Sequence, residues 1–340
     1  MDAIIGDEQA VSCPLCATSV TRRAVVVAYR REQHPYLGCA TCGLVFEDPT
    51  TYAMSSFDHS KAVEALTDED RRSFQATYGE GMTVVTATGE LYALYEYHDS
   101  NEMAADLEDR VSHHLRQAFP DPTGLRILEI GCADGFLLRR LERTYQPVRA
   151  LGIDPSPVAC EQARHHGTTV LQGTLDGIDL GDEKFDVVVV FGNLMLHADP
   201  RATLRGIVDH LSPGGIIIFD VKNLRCATRR LALLVARFEH LMRWIPVRSF
   251  VTRNFTNARH FFGKRQLRML CESVAINIDE MRSHPPRAIN FRNRHRGSNG
   301  IAGVIWRLFD RFDVRTDDRA WLEVRCSQIN SVRTRDRLGK

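Results

Sequence analysis

Cys13, Cys16, Cys39 and Cys42 stand in two C-x-x-C knuckles, Cys13-Pro14-Leu15-Cys16 and Cys39-Ala40-Thr41-Cys42, with 22 residues between them. Each knuckle can place two thiolates on one side of a tight turn. Gly43 suits the positive-φ position that follows such a turn. Four sulfurs supply a tetrahedral Zn2+ of the closed, structural kind, with no open position for catalysis. A redox-active pair is the alternative, but a thioredoxin-type motif occurs once and on a βαβ unit. A module of ~45 residues is too small for a sufficient core, so the metal is expected to supply its folding energy.

A second set of chemistry-bearing residues lies at the ends of apolar runs. One run ends in Glu129-Ile130-Gly131-Cys132-Ala133-Asp134-Gly135, where the glycines allow a sharp turn and a close approach to a ligand. The next ends in Asp154, placed to accept bonds from two ribose hydroxyls. A third ends at Gln172-Gly173-Thr174-Leu175, near where a base would lie. The first turn is not the G-x-G-x-x-G that meets a pyrophosphate. It is G-x-x-x-G preceded by an acid, which suits a positively charged ligand.

The elements that must position these residues alternate. The pattern predicts strands over 125–130, 150–153, 168–172, 185–191 and 216–221, and helices over 136–143, 157–166 and 201–211. The four consecutive valines at 187–190 read as a strand buried on both faces. This alternation implies an α/β fold with a doubly wound, mainly parallel Rossmann-like sheet, whose ligands bind beyond the carboxyl ends of the strands.

These segments resemble the class I S-adenosylmethionine-dependent methyltransferases. The resemblance covers 124–282 and extends toward 328. It rests on Leu128–Gly135, on Gly152-Ile153-Asp154-Pro155-Ser156, on Phe185-Asp186-Val187-Val188 and on Leu211-Ser212-Pro213-Gly214-Gly215. Ala133 stands where the family often has a second glycine. The resemblance implies S-adenosylmethionine as cofactor, with Glu129 and Gly131 around its methionine moiety, Asp154 on the ribose and Gly173-Thr174 near the adenine. Cys132, Gly135, Pro155 and Leu175 belong to the same binding segments. It also implies that Gly192-Asn193-Leu194-Met195-Leu196-His197 sits beside the sulfonium. His197 is then the leading general-base candidate, His98 a second one, and Asn193 a backbone or cofactor contact. A four-cysteine module, a connector and this domain together look like bacterial methyltransferases of sugar, glycan and natural-product pathways.

The 340 residues divide into a zinc-ribbon module (1–55), an acidic connector of mostly helical pattern (56–120), a methyltransferase domain (121–330) with a lid insertion at about 225–262, and a basic tail (331–340). Apolar spacing predicts one amphipathic helix over 229–245, flanked by Arg229, Arg230, Arg237 and Arg243. It predicts a late helix over 260–274, a sixth strand over 275–281, a helix over 301–309 and a last antiparallel strand over 320–326. Tyr95 and Tyr97 are pocket candidates, and the loop 285–299 could grip a phosphate through Arg292, Arg294 or Arg296.

The net charge of +1 hides an asymmetry: residues 221–340 hold 26 Lys+Arg against 10 Asp+Glu, and the remainder 18 against 33. The basic half favours an anionic partner. No run of ~18 apolar residues suggests a membrane span, although peripheral membrane contact fits a basic amphipathic helix. The first ten residues lack the pattern of a secretory signal, and a cytoplasmic location is expected. The expected activity is methyl transfer to a small, anionic or carrier-linked acceptor such as a nucleotide-sugar or pathway intermediate. The alternatives are an RNA methyltransferase and a non-catalytic zinc and cofactor-binding adaptor.

Overall fold

The computed structural model describes residues 11–20, 23–29, 32–50, 82–87, 90–95, 101–244, 258–284 and 311–329, with isolated positions between 247 and 255. The knuckle module holds β1 (Val11–Ser12), β2 (Ser19–Val20), β3 (Arg23–Tyr29), β4 (Glu32–Gly38) and β5 (Val45–Glu47). β1 pairs antiparallel with β2, and β3, β4 and β5 form an antiparallel sheet.

Within the connector, the described segments 82–87 and 90–95 depart from the expected helical pattern. β6 (Met82–Ala87) and β7 (Glu90–Tyr95) pair antiparallel, Met82 opposite Tyr95. Met82-Thr83-Val84-Val85-Thr86 is rich in β-branched residues, which lose rotamer freedom in a helix and pack well on a pleated surface. Among the described residues, α1 (Asn101–Ala118) is helical and buries Leu107, Val111 and Leu115 at helical spacing.

The large sheet then builds in βα steps. β8 (Arg126–Ile130), α2 (Phe136–Tyr145), β9 (Arg149–Asp154), α3 (Pro157–His165), β10 (Val170–Gln172), β11 (Phe185–Val190), α4 (Pro200–Asp209) and β12 (Leu211–Lys222) follow in order. After them come α5 (Ala227–Ala236), α6 (Glu239–Met242), β13 (His260–Phe261), α7 (Lys264–Glu272), β14 (Ile276–His284) and β15 (Trp321–Gln328). The seven-stranded order is β10-β9-β8-β11-β12-β15-β14. The first five strands are mutually parallel, and β15 runs antiparallel to both β12 and β14. Val187, Val188, Val189 and Val190 are fully buried, as a strand covered on both faces requires. Strand order reverses between β8 and β11, which makes the crevice beyond their carboxyl ends the place for a ligand.

Three local expectations are corrected. β12 begins at Leu211, with a register irregularity before Ile216, so Pro213-Gly214-Gly215 lies inside the strand's span rather than between helix and strand. The single helix over 229–245 is two helices, interrupted where Phe238 turns extended and caps α6. The buried Arg229 guanidinium donates to the Asn223 and Ala320 carbonyls, which holds this face of α5 inward. Arg229 and Ala232 therefore face inward, and Leu234, Phe238 and Trp244 face solvent. The late helix starts at Lys264, because His260–Phe261 is strand. The predictions for 285–299, 301–309 and 331–340 fall on segments outside the described residues.

β13 joins the two modules. It pairs antiparallel with β5, His260 opposite Phe46 and Phe261 opposite Val45. Tyr36 Oη donates to the Ala258 carbonyl at 2.7 Å, and its ring meets Phe255 and Phe261. One continuous core runs from Cys39, Leu44 and Phe46 through Phe261 to Val188 and Phe219. Among the described residues no helix is long and apolar enough to cross a membrane.

Candidate functional site

The loop after β8 forms the floor of the crevice. Gly131 has φ +73°, and a Cβ there would fall 1.8 Å from the Asn193 Nδ2 atom. Asn193 closes over this glycine and donates through Nδ2 to the Ile130 carbonyl. Gly135 (φ +75°) opens α2, and a Cβ there would strike Thr168. Both positions therefore require glycine for conformation and for space.

Two acids flank this floor. Glu129 ends β8 and is buried. Asp154 ends β9, is 5% exposed, and accepts from the Ala133 amide at 2.9 Å through Oδ2 and from the Ser156 amide at 2.9 Å through Oδ1. Cys132 lies between them with its thiol turned inward against Gly152, so only its backbone can face a ligand. Burial, reinforced by the Glu129 and Asp154 charges, pushes this thiol well up. The same negative potential favours a cationic ligand.

The remaining expected residues divide. The Gly173 amide donates to the Asp154 carbonyl at 2.9 Å, which brings the Gly173-Thr174 turn beside the floor. Pro155 is exposed next to Asp154. Leu175 is instead buried against Gly206 of α4. Gly192 and Asn193 follow β11, and Asn193 lies against Gly131. Of the connector candidates, Tyr97 and His98 lie outside the described residues, as does the Tyr95 side chain.

His197 ends the short 3-10 turn Leu194–Leu196. Its Nδ1 lies 3.0 Å from Thr203 Oγ1, which itself donates to the Asp199 carbonyl at 3.1 Å. With its proton committed there, the Thr203 oxygen accepts from Nδ1–H, leaving Nε2 as the unprotonated nitrogen. Burial holds the His197 imidazole below its ordinary range, partly offset by the Asp176 carboxylate and reinforced by Arg259.

Sequence reasoning missed a support beneath this loop. Asp220 on β12 accepts from the Gly192 amide at 2.6 Å and from Arg110 Nη2 at 2.8 Å. Arg110 comes from α1, stacks over Phe191 at 4.5 Å, and also donates to Glu323 on β15. Burial works against the Arg110 charge, and the Asp220 and Glu323 carboxylates overcome it. A single acid inside the apolar run Ile216-Ile217-Ile218-Phe219-Asp220-Val221 was the available signal, because an acid is rarely buried without a partner.

The four knuckle sulfurs fit a metal. Cys13 and Cys42 Sγ lie 3.6 Å apart, Cys16 and Cys39 Sγ 3.5 Å apart, and all four fall within 4.8 Å of one another. About 3.8 Å is the edge expected of a Zn–S4 tetrahedron with ~2.3 Å bonds. Burial pushes the Cys13 thiol up to about 11 and Cys42 further still. A divalent ion is what makes four thiolates tolerable there.

The crevice likewise fits S-adenosylmethionine. Asn193 Oδ1 is buried over the floor without a hydrogen bond, and a donor on a ligand would satisfy it. The Gly131 and Gly135 turns keep space that a side chain would fill, and the two acids match a cation.

Comparison with known proteins gives the family of the domain that carries this crevice. The family profile described as a methyltransferase domain matches residues 103–277, just over half of the chain. A ubiquinone biosynthesis O-methyltransferase from Azorhizobium caulinodans is 35% identical over 129 residues, covering 36% of this chain and 49% of that protein. A tRNA U34 carboxymethyltransferase from Desulfotalea psychrophila is 33% identical over 123 residues, covering 34% of this chain and 38% of that protein. The chain thus spans about half or less of the length of these relatives. A solved S-adenosylmethionine-dependent methyltransferase from Mesorhizobium loti is 20% identical, with 63% of this chain and 95% of that one covered and a TM-score of 0.42.

Proposed function

The chain belongs to the methyltransferase-domain family, and from that premise we propose that it transfers a methyl group from S-adenosylmethionine to a small, anionic acceptor. The observation that carries this reading is the crevice between β8 and β11. There Gly131 and Gly135 leave room, Glu129 and Asp154 supply negative charge, and Asn193 Oδ1 awaits a donor.

The chemistry supplied by bound S-adenosylmethionine is a methyl group already activated by a sulfonium charge. The protein's task is then to hold the two partners in line, and such positioning contributes ~7–11 kcal/mol in well-oriented systems. Asp154 would hold the ribose hydroxyls, Glu129 and the Gly131 backbone the methionine end, and Gly173-Thr174 the adenine. The Asp220–Arg110 pair fixes the Gly192 amide and, with it, the entry to the acceptor side.

His197 serves as the general base of this proposal, taking the acceptor's proton on Nε2. The sign of its pH dependence follows from the direction of its shift. A depressed imidazole stays unprotonated to lower pH, so the acid limb of the rate profile lies below the ordinary ~6.5. Replacing His197 by Gln should lower turnover ~10²–10³-fold and abolish that limb, with S-adenosylhomocysteine affinity unchanged. A variant that keeps the limb would remove His197 from the mechanism.

The acceptor class rests on the basic half of the chain, whose excess of 26 Lys+Arg over 10 Asp+Glu favours phosphate-bearing molecules such as nucleotide-sugars. A nucleic-acid acceptor is the second reading, favoured by the same charge and by the named activity of the Desulfotalea relative. The knuckle cysteines would hold one structural Zn2+. Calorimetric titration with S-adenosylmethionine, with metal content measured on the same sample, tests the proposal. Micromolar binding and one zinc per chain are expected; absence of binding would overturn it. RNA retention that falls steeply with salt would favour the second reading.

A further inference from the structure

A second group of metal-ligating side chains lies between α1 and the edge strand β14. His113 Nε2 is 3.1 Å from Glu280 Oε1, and His114 Nδ1 is 3.3 Å from Glu280 Oε2. The three ligand atoms all fall within 4.8 Å of one another. Tetrahedral coordination with bonds of ~2.0–2.1 Å requires ligand edges of about 3.3 Å, which both distances approach.

Histidine chemistry favours the same conclusion. His114 is fully buried, and its Nε2 sits 2.8 Å from Glu323 Oε1. A buried imidazole donating one N–H to a carboxylate presents its other nitrogen as a lone pair. This is the arrangement that orients metal-bound histidines. That other nitrogen, Nδ1, makes no hydrogen bond and lies 3.3 Å from Glu280 Oε2. Gln117 lies one helical turn beyond His113, its side-chain nitrogen 3.1 Å from His113 Nε2. A half-turn of its carboxamide would bring an oxygen to that place.

Charge around the group also fits. Arg282 donates to Glu323 at 2.6 Å and lies 3.5 Å from Glu280. Arg110 is shared between Asp220 and Glu323, and His284 approaches Glu323 at 3.3 Å. Three carboxylates thus face two guanidinium groups. His113 and Glu280 are partly exposed, which gives an ion a way in and leaves a position for water.

We infer that His113, His114 and Glu280 form a binding site for a divalent transition-metal ion, with Zn2+ or Co2+ the chemical class that two imidazoles and a carboxylate select. It is a clip of α1 onto the edge of the sheet, separate from the thiolate site.

Co2+ titrated into the full chain already loaded with zinc at its cysteines tests the site. Expected is one further ion, weak d–d absorption without thiolate charge transfer, and a raised melting temperature. His113→Ala and Glu280→Gln should each weaken this second ion more than ~10-fold, since even outer partners of metal ligands cost 10–100-fold. Both should retain the first zinc. Because these side chains are partly exposed, the variants avoid the buried His114. No further ion, a cobalt spectrum with thiolate bands alone, or equal binding in both variants and the parent chain would overturn the assignment.

Discussion

Replacing Asp154 by Ala should weaken S-adenosylhomocysteine binding by about 100-fold or more and lower the stability of the fold as well. Two causes act together. The carboxylate would lose its bonds to the ribose hydroxyls, and hydrogen bonds to a charged group contribute ~1.5–3 kcal/mol each. A hundredfold loss corresponds to about 2.7 kcal/mol, which two such bonds exceed. The Ala133 and Ser156 amides would also lose their acceptor, and a buried orphan donor costs ~1–3 kcal/mol. Asp154→Asn separates the two causes. It keeps the shape and one acceptor oxygen, so ~10-fold weaker binding with a smaller drop in melting temperature is expected. Calorimetry and thermal melts on both variants supply the comparison. Near-native affinity in the Ala variant would show that the ribose does not lie on Asp154.

Loss of one knuckle sulfur is expected to have the largest effect on stability. Structural zinc supplies roughly 10–16 kcal/mol of apparent binding energy in small zinc domains. Cys42 is fully buried, and its carbonyl accepts from Gln266 Nε2 of α7. Cys42→Ser should therefore abolish zinc retention and lower the melting temperature of the whole chain. The damage should also travel. β5 pairs with β13, the Glu47 amide donates to the Arg259 carbonyl, and the Arg259 amide donates to the Met195 carbonyl, two residues from His197. Faster hydrogen exchange is expected across 45–47, 259–262 and 195–197. If exchange rises only in the first of these, the module is independent and the coupling argument fails.

The parts of the fold most legible in the sequence were those with one local cause. The five parallel strands read as short apolar runs because both of their faces are covered, and the glycine-acid turns between them follow from φ and from space. The knuckles were legible because two C-x-x-C pairs have few other uses. What escaped depends on partners distant in the chain. His260–Phe261 is strand because β5 lies beside it. Arg229 holds its face of α5 inward because the Asn223 and Ala320 carbonyls await it, against a stripe of leucines that by itself pointed elsewhere. Asp220 has a role only because α1 delivers Arg110. The paired strands β6 and β7 differ: their β-branched run lies within a charged pattern that reads as helical.

The pairing of Phe46 with His260 also sets an order of events during synthesis. More than two hundred residues separate the two partners. At ~5–20 residues per second the ribosome needs roughly 10–40 s to deliver the second after the first. Throughout that interval the knuckles are complete and able to capture an ion, while β5 keeps an open edge. An open edge is a template for pairing with another chain. With the proposed zinc bound, the newborn N-terminal module would be a metal-loaded but unfinished sheet, and growth conditions poor in zinc should then send this protein into aggregates before any full-length molecule exists.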